Sequence, residues 1–428
     1  MAKGAVTMPG KRLVLLLDGT WNSSEDNTSV WRLSQLVAPR DAAGVAQLCY
    51  YTAGVGTPRG ERIRGGALGY GLDRDVIGAY RWLMGHYDQG DQIFLFGFSR
   101  GAFTARSVAG MIARCGLLRP GSPLSVEELY ERYRLDDKAP SFVELHQTKN
   151  LPPAEKRLLR HSRRVPIKMI GVWDTVGALG IPFGNIPGIS RRRFGFHNTR
   201  LSAIFEHAYH ALALDEHRAA FAPTLWTRFT PATPDPPGKR RVRPTIVEQR
   251  WFAGAHANVG GGIAGDDLPQ LPLAWLMKKA GALGLAWRGE VVPTGYEIAA
   301  PINDSFRSFL WGFYPALKFW RRFHRRIAAP AVEDDKGSWL SVNETIDASV
   351  FDRWRKLTGY ALPGPKPRRK VADYRPKDLQ RWAAELGVEP GKLLGTVDAR
   401  TGAVIEPPTP PKRRAPRSSQ LAKNKGTR

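Results

Sequence analysis

Gln92-Ile93-Phe94-Leu95-Phe96-Gly97-Phe98-Ser99-Arg100-Gly101 is the stretch on which the fold turns. Its apolar run has the character of a strand buried on both faces. The run ends in Gly-x-Ser-x-Gly, and the residues after Ser99 read as a helix through about Ala113. A serine at a strained turn between strand and helix needs small flanking residues, here Gly97 and Gly101, because the chain folds back on itself there. The helix N-terminus then points its N–H groups at negative charge developing on a substrate oxygen. The bland alternative is an ordinary turn with a capping serine, and the strand before and helix after favour a nucleophile.

Similar punctuation recurs along the chain. Residues 13–17 form an apolar run that closes at Asp18-Gly19-Thr20-Trp21-Asn22, the pattern of a buried parallel strand with a functional loop at its carboxyl end. Residues 47–51 are the next expected strand, running into Gly54-Val55-Gly56-Thr57, and residues 73–86 have helical spacing. After the serine motif, about 50 polar, proline-containing residues suit a helical insertion or lid. Residues 166–173 predict a strand closing at Asp174, residues 199–220 a helix, and residues 248–253 a strand closing at His256-Ala257-Asn258-Val259 and Gly260 to Gly262. A helix is expected over 272–283. Strands alternating with helices predict the α/β class, with an α/β-hydrolase-like, mostly parallel sheet covered by helices on both faces.

The expected domain runs from residue 10 to 360, helical insertions included. Residues 361–428 are rich in Pro, Lys and Arg and predict a largely flexible basic tail, with one short helix near 376–386.

Of the 428 residues, 42% are hydrophobic, which excludes wholesale disorder. Lys and Arg number 64 against 39 Asp and Glu, a formal net charge of +25. Such a surface is drawn to polyanions, an anionic membrane among them. The tail has phosphate-binding charge but a single tryptophan, Trp382, and no recognised nucleic-acid module, so specific nucleic-acid binding is not expected. Cys49 and Cys115 exclude a disulfide framework or zinc cluster and read as buried or inert thiols. No stretch reaches the roughly 18 apolar residues that span a bilayer. Lys11 and Arg12 precede only the short run 13–17, too little for a secretory signal. The expectation is a cytoplasmic protein, or one exported by a system that reads no signal peptide. Residues 306–326 mix aromatics with Arg321, Arg322, Arg325 and Arg326. That mixture fits a helix lying in lipid headgroups, but aromatics almost all round it favour a core or lid helix, kinked at Pro315.

Serine is a weak nucleophile and needs a base held by a third group. His256 fits best as base, since it follows an expected strand and opens a glycine loop. His207, His210 and His217 fall in one expected helical stretch and read as core or surface residues. Asp174 ends a strand and is the candidate orienting acid, with Asp215 and Asp266 as rivals. The order Ser99, Asp174, His256 is that of α/β-hydrolases. The oxyanion donors are expected at Arg100 and at the Gly19-Thr20 turn, with Asp18 bracing that turn. No metal or cofactor is expected.

Taken together, residues 17–22, Tyr51 with 54–57, 97–102, 171–177, 211–216, and 251–256 with 259–262 resemble one bacterial and fungal family of α/β-hydrolase domains of unknown function. The family includes type VI secretion lipase effectors with phospholipase activity. The resemblance covers about residues 10–350 and supports Ser99, Asp174 and His256 as a triad. It implies a serine hydrolase acting on carboxylic esters, lipid or phospholipid foremost, through an acyl-enzyme. The alternative is a binding or scaffold protein on the same frame. Two positions depart from the family pattern. Asn258 stands where the family often has Asp, and Asp347 where many relatives place a histidine. A base at the latter position would make this chain a degraded enzyme.

Overall fold

The apolar runs form the middle of one nine-stranded sheet. The computed structural model describes residues 10–19, 26–54, 67–135, 138–177, 204–231, 246–308, 315, 319–334, 337–357, 360–361 and 371–407. The strands of the sheet are β1 (Arg12–Leu17), β2 (Gln47–Thr52), β3 (Gln92–Phe98), β4 (Ile167–Trp173), β5 (Phe205–Ala213), β6 (Ile246–Phe252), β7 (Glu344–Ile346), β8 (Thr396–Asp398) and β9 (Val404–Glu406). Their spatial order is β9-β8-β7-β6-β5-β4-β3-β1-β2. Neighbours from β2 through β7 pair in parallel, while β8 and β9 add antiparallel at the far edge. β1 lies between β2 and β3, so the winding direction reverses there. Ligands of such sheets bind beyond the carboxyl ends of the strands at that reversal.

Side-chain alternation divides each apolar run between two cores. Leu13, Leu15 and Leu17 of β1 pack with residues of α2 (Ala67–His86) and α3 (Arg100–Cys115). The alternate residues Val14 and Leu16 pack on the other face, with α1 (Ser29–Leu36) and with Leu273 and Leu276 of the helix Gln270–Ala282. A strand buried on both faces needs no polar alternation, which is why β1 and β3 read as continuous apolar runs.

The insertion after α3 is helical, as expected: α4 (Val126–Arg134), α5 (Phe142–Gln147) and α6 (Pro153–His161). Capping boxes at Ser125 with Glu128 and at Ser141 with Glu144 start the first two. These helices do not form a lid. A side chain at Gly110 would strike the Tyr133 ring, one at Gly116 would strike Phe142, and Cys115 contacts Leu129. All three positions lie at the carboxyl end of α3, about 20 Å along the helix from Ser99 at a rise of 1.5 Å per residue.

The other corrections have physical causes. Residues 205–213 are strand β5, not helix, so His207 and His210 lie on a strand and His217 in the following turn. Phe205, Ala208, Tyr209 and Leu212 fall at helix-like spacing only because β5 is central and buried on both faces. Residues 306–326 are not one helix: Ser305–Ser308 is a four-residue turn of helix, and residues 321–326 have no helical structure. Residues 309–314 and 316–318 lie outside the described residues. Cys115 is buried as expected, whereas Cys49 is exposed on edge strand β2.

The folded domain also runs past residue 360. The expected helix near 376–386 is present as Lys377–Leu386, but it is docked, with Leu379, Trp382 and Ala383 in a third core beside Trp251, Phe351 and Val397. Trp382 Nε1 donates to the Ala399 carbonyl at 2.7 Å, and β8 pairs with β7. The Lys and Pro content concealed this short apolar stripe. The rest of the expected tail, 362–370 and 408–428, falls outside the described residues.

Trp382→Ala is expected to cost about 3–5 kcal/mol of stability, as for a fully buried tryptophan. Urea denaturation measures it. A loss below about 0.5 kcal/mol, typical of an exposed position, would mean that this segment does not dock.

Candidate active site

Two glycines allow the turn at Ser99. A side chain on Gly97 would come within 2.5 Å of the Gly101 carbonyl oxygen, and one on Gly101 within 2.5 Å of the Asp18 carbonyl oxygen. Between them Ser99 adopts φ 57° and ψ −118°, a conformation that L-residues rarely hold. Its amide donates to the Trp173 carbonyl at 3.1 Å, which ties the turn to the end of β4. Registers place Phe98 opposite Trp173, and Trp173 opposite Ala211. Ser99 and Asp174 therefore leave neighbouring strands at the same level. Asp174 also has positive φ, at 35°.

His256 arrives from the end of β6, as the first residue of α7 (His256–Gly260). Its Nε2 lies 2.8 Å from Ser99 Oγ and its Nδ1 2.6 Å from Asp174 Oδ2. The sequence candidates Ser99, Asp174 and His256, drawn from three distant stretches, thus meet in one chain of hydrogen bonds. With Nδ1–H donated to the carboxylate, Nε2 is left to accept from the serine hydroxyl. The rings of Phe98 and Phe221 flank the imidazole, with centroids at 4.7 and 5.0 Å.

Arg325 is the largest feature of the site that sequence reasoning missed. It is almost fully buried and donates to both oxygens of Asp174, from Nη1 to Oδ1 at 2.5 Å and from Nη2 to Oδ2 at 2.9 Å. It also donates to the carbonyls of Ala213 and Phe221. The Ala213 amide donates to Asp174 Oδ1 at 3.0 Å. Burial alone would raise the Asp174 carboxyl, but Arg325 and His256 outweigh it and hold the group well below the usual carboxylate range. Burial pulls His256 below its ordinary value, against the upward pull of Asp174. Glu216 was also missed. It is buried, accepts from the His256 amide at 3.2 Å and from Ser305 Oγ at 2.9 Å, and pairs with Arg218 through both oxygens. Burial works against its charge, yet Arg218 carries its carboxyl down to about 2. In the sequence, Arg325 read as part of a basic rim, and nothing in its spacing signals that it turns inward.

The rivals of Asp174 serve elsewhere. Asp215 accepts from the Gly254 amide and the Tyr374 hydroxyl. Asp266 accepts from Asn258 Nδ2 at 2.8 Å. That contact accounts for one departure from the family pattern, because Asn258 donates where an aspartate would face Asp266 with like charge. Asn258 Oδ1 meanwhile accepts from the amides of Ala255 and Asn303, bracing the loop that presents His256. At the other departure, Asp347 caps the helix Ala348–Lys356 and pairs with Arg250 at 3.2 Å.

The expected oxyanion turn needs correction at Gly19. Its amide donates to Asp18 Oδ1 at 2.7 Å rather than into the site. Asp18 does brace the turn, since it also accepts from Thr28 at 2.5 Å and Tyr51 at 3.2 Å. Thr20 lies outside the described residues. Arg100 is the first residue of α3, directly after Ser99.

A parallel sheet with reversed winding, and a serine on a strained turn between strand and helix at that reversal, define an α/β-hydrolase-like fold. The family model for the type VI secretion phospholipase effector Tle1-like catalytic domain matches residues 11–279, and the chain belongs to that family. An uncharacterized protein of Saccharomyces cerevisiae, YEL023C, is 32% identical over 238 residues, 51% of this chain and 33% of that protein. Among solved structures, an uncharacterized protein from Pseudomonas aeruginosa aligns with a TM-score of 0.42 at 16% identity, covering 65% of this chain and 47% of that one. The Tle1 effector bound to the VgrG spike of the type VI secretion system aligns with a TM-score of 0.31 at 18% identity, covering 61% and 53%. The aligned region is thus a third of the yeast relative and about half of each of these two structures.

Arg325→Ala leaves the Asp174 carboxylate buried with its main counter-charge gone. The expected loss is about 3–5 kcal/mol of unfolding free energy, read from urea denaturation. A loss under 1 kcal/mol would show that the pair does not hold the site together.

Proposed function

We propose that this chain is a serine hydrolase that cleaves carboxylic esters of lipids, phospholipids foremost, through an acyl-enzyme. The observation that carries the reading is the unbroken hydrogen-bond path Ser99–His256–Asp174, at 2.8 and 2.6 Å. Ser99 Oγ attacks the ester carbonyl carbon while His256 Nε2 takes its proton. The tetrahedral intermediate collapses, and His256 returns that proton to the leaving alcohol. Water, deprotonated by the same nitrogen, then attacks the acyl-serine, releasing the fatty acid and restoring Ser99. The Arg100 backbone amide, at the start of α3, is the proposed oxyanion donor, and the helix dipole acts in the same direction. Asp174 fixes the imidazole tautomer.

A lipid substrate is supported by family membership and by the surface. Phe319 and Trp320 are 85% and 70% exposed and stand next to Arg321 and Arg322. Aromatics beside basic residues suit the headgroup region of an anionic bilayer, and the net charge of +25 adds long-range attraction. No helix among the described residues is long and apolar enough to cross a membrane. We propose delivery to the membrane through type VI secretion, in keeping with the family.

A second reading, a binding protein on the same frame, draws on Arg325. Its bidentate pairing neutralises the carboxylate that elsewhere stabilises an imidazolium. Labelling by a fluorophosphonate separates the two readings, since only an activated serine reacts. The wild-type chain is expected to label at Ser99 and to release fatty acid from phosphatidylglycerol vesicles. Ser99→Ala is expected to lose labelling and at least about 10³-fold in rate. The base acts only when neutral and His256 lies below its ordinary value, so the rate should fall on acidification with a midpoint below that of a free imidazole. A folded wild-type chain that neither labels nor turns over ester would establish the binding protein.

A further inference from the structure

Three segments far apart in the chain meet at a second group of side chains. His217 follows the buried Glu216, His324 precedes Arg325, and Asp378 lies in the first turn of the helix Lys377–Leu386. One ligand-capable atom from each lies within 4.8 Å of the others, and among the described residues these form the one His/Cys/Asp/Glu group close enough for a single ion. His324 Nδ1 stands 3.4 Å from Asp378 Oδ1.

Two details separate this group from a surface ion pair. Asp378 is only 2% exposed, and its Oδ2 has no hydrogen-bond partner. Such an orphan ordinarily costs about 1–3 kcal/mol, so a ligand there is stabilising. The second detail is tautomeric. His217 Nδ1 lies 3.1 Å from the Phe323 carbonyl oxygen, which only accepts. His217 therefore carries a proton on Nδ1, which in the neutral ring leaves Nε2 as the acceptor. An imidazole that donates its other nitrogen to a backbone carbonyl is the usual arrangement of a metal-bound histidine. The Phe323 amide returns a bond to the His217 carbonyl at 3.0 Å, so the two segments are already held in register.

We propose that His217, His324 and Asp378 bind one divalent zinc-like ion, with water completing its shell. Two imidazoles and one carboxylate suit zinc or its first-row neighbours, whereas calcium and magnesium take oxygen ligands. Ligand atoms about 2.0–2.1 Å from a tetrahedral zinc lie about 3.4 Å from one another. His324 Nδ1 is 3.4 Å from Asp378 Oδ1, and one atom of each of the three residues lies within 4.8 Å of the others, so small side-chain shifts suffice. Arg381 donates to that same Asp378 Oδ1 at 2.9 Å, so Oδ1 is shared with Arg381 while Oδ2, which has no partner, is left for the ion. The ion takes no part in bond making. It clamps the segment that carries Arg325 to the C-terminal helix and to the turn after β5, and so steadies the counter-charge on Asp174.

The test is titration of the untagged, metal-stripped full chain with Zn²⁺ by calorimetry and with Co²⁺ by visible absorption. The expected result is one ion per chain, a d–d band, and a rise in thermal midpoint with Zn²⁺. His217→Ala, His324→Ala and Asp378→Asn should each lose the band and at least about tenfold in affinity. A wild-type chain without stoichiometric uptake at micromolar Zn²⁺ overturns the proposal, as does uptake unchanged in all three variants. If the variants fail to fold, diethyl pyrocarbonate labelling of the wild-type chain decides. Zn²⁺ should protect His217 and His324, mapped by peptide mass, and equal labelling with and without the ion refutes the site.

Discussion

A carboxylate with no contact with water has to be neutralised where it stands, and Asp174 imposes that condition on the C-terminal half of this molecule. β5 delivers the Ala213 amide to it, the segment after residue 319 delivers Arg325, and α7 delivers His256. None of these is near Asp174 in sequence. Arg325 is held in turn by the carbonyls of Ala213 and Phe221, so its own charge is solvated by backbone. The long excursion of the chain between β6 and β7 therefore has a structural task at the site, whatever else it contacts.

Strain is the second constraint. Ser99 and Asp174 both adopt positive φ, and such conformations persist only where the surroundings over-determine them. At Ser99 the surroundings are close backbone contacts that forbid a side chain at Gly97 or Gly101, plus the hydrogen bond from its amide to Trp173. At Asp174 they are the backbone bond to Ala211 at 2.7 Å and the grip of Arg325. The hydroxyl and the carboxylate stand at one level because the adjacent strands β3 and β4 fix both turns.

Much of this was legible in the sequence, for reasons that differ by element. β1 and β3 were legible because strands buried on both faces read as apolar runs, and β4 and β6, which carry Lys168 and Glu248 to Arg250, were legible from their apolar ends and the turn residues that close them. The serine motif was legible because sterics leave so few choices around it. β5 was misread because Phe205, Ala208, Tyr209 and Leu212 imitate helical spacing in a strand whose two faces are both interior. Arg325 and Glu216 were invisible for a different reason. A buried charge has no periodic signature: only the fold brings the counter-ion of Arg325 from 151 residues away, and although Arg218 lies two residues from Glu216, that spacing does not show that the pair turns inward. The docked C-terminal segment lay between. Its helix had a pattern, but the surrounding lysines and prolines gave it the look of a linker.

The charges around His256 form two closed pairs. Asp174 is paired with Arg325 on one side of the ring, and Glu216 with Arg218 on the other. The formal charges sum to zero, so the imidazole gains less from long-range Coulomb attraction than it would beside a lone carboxylate. What remains is short-range: the 2.6 Å bond from Nδ1 to Asp174, and the His256 amide held by Glu216. Burial is then the largest influence on His256 and draws it below its ordinary value, against the upward pull of Asp174. Under the proposed hydrolysis, stabilisation of the imidazolium would come from hydrogen-bond geometry and from the negative tetrahedral centre beside it. In physical terms the arrangement exchanges electrostatic activation of the base for rigidity. That exchange requires Arg325 to stay fixed, since a guanidinium that drifted toward the ring would oppose the proton transfer that the geometry permits.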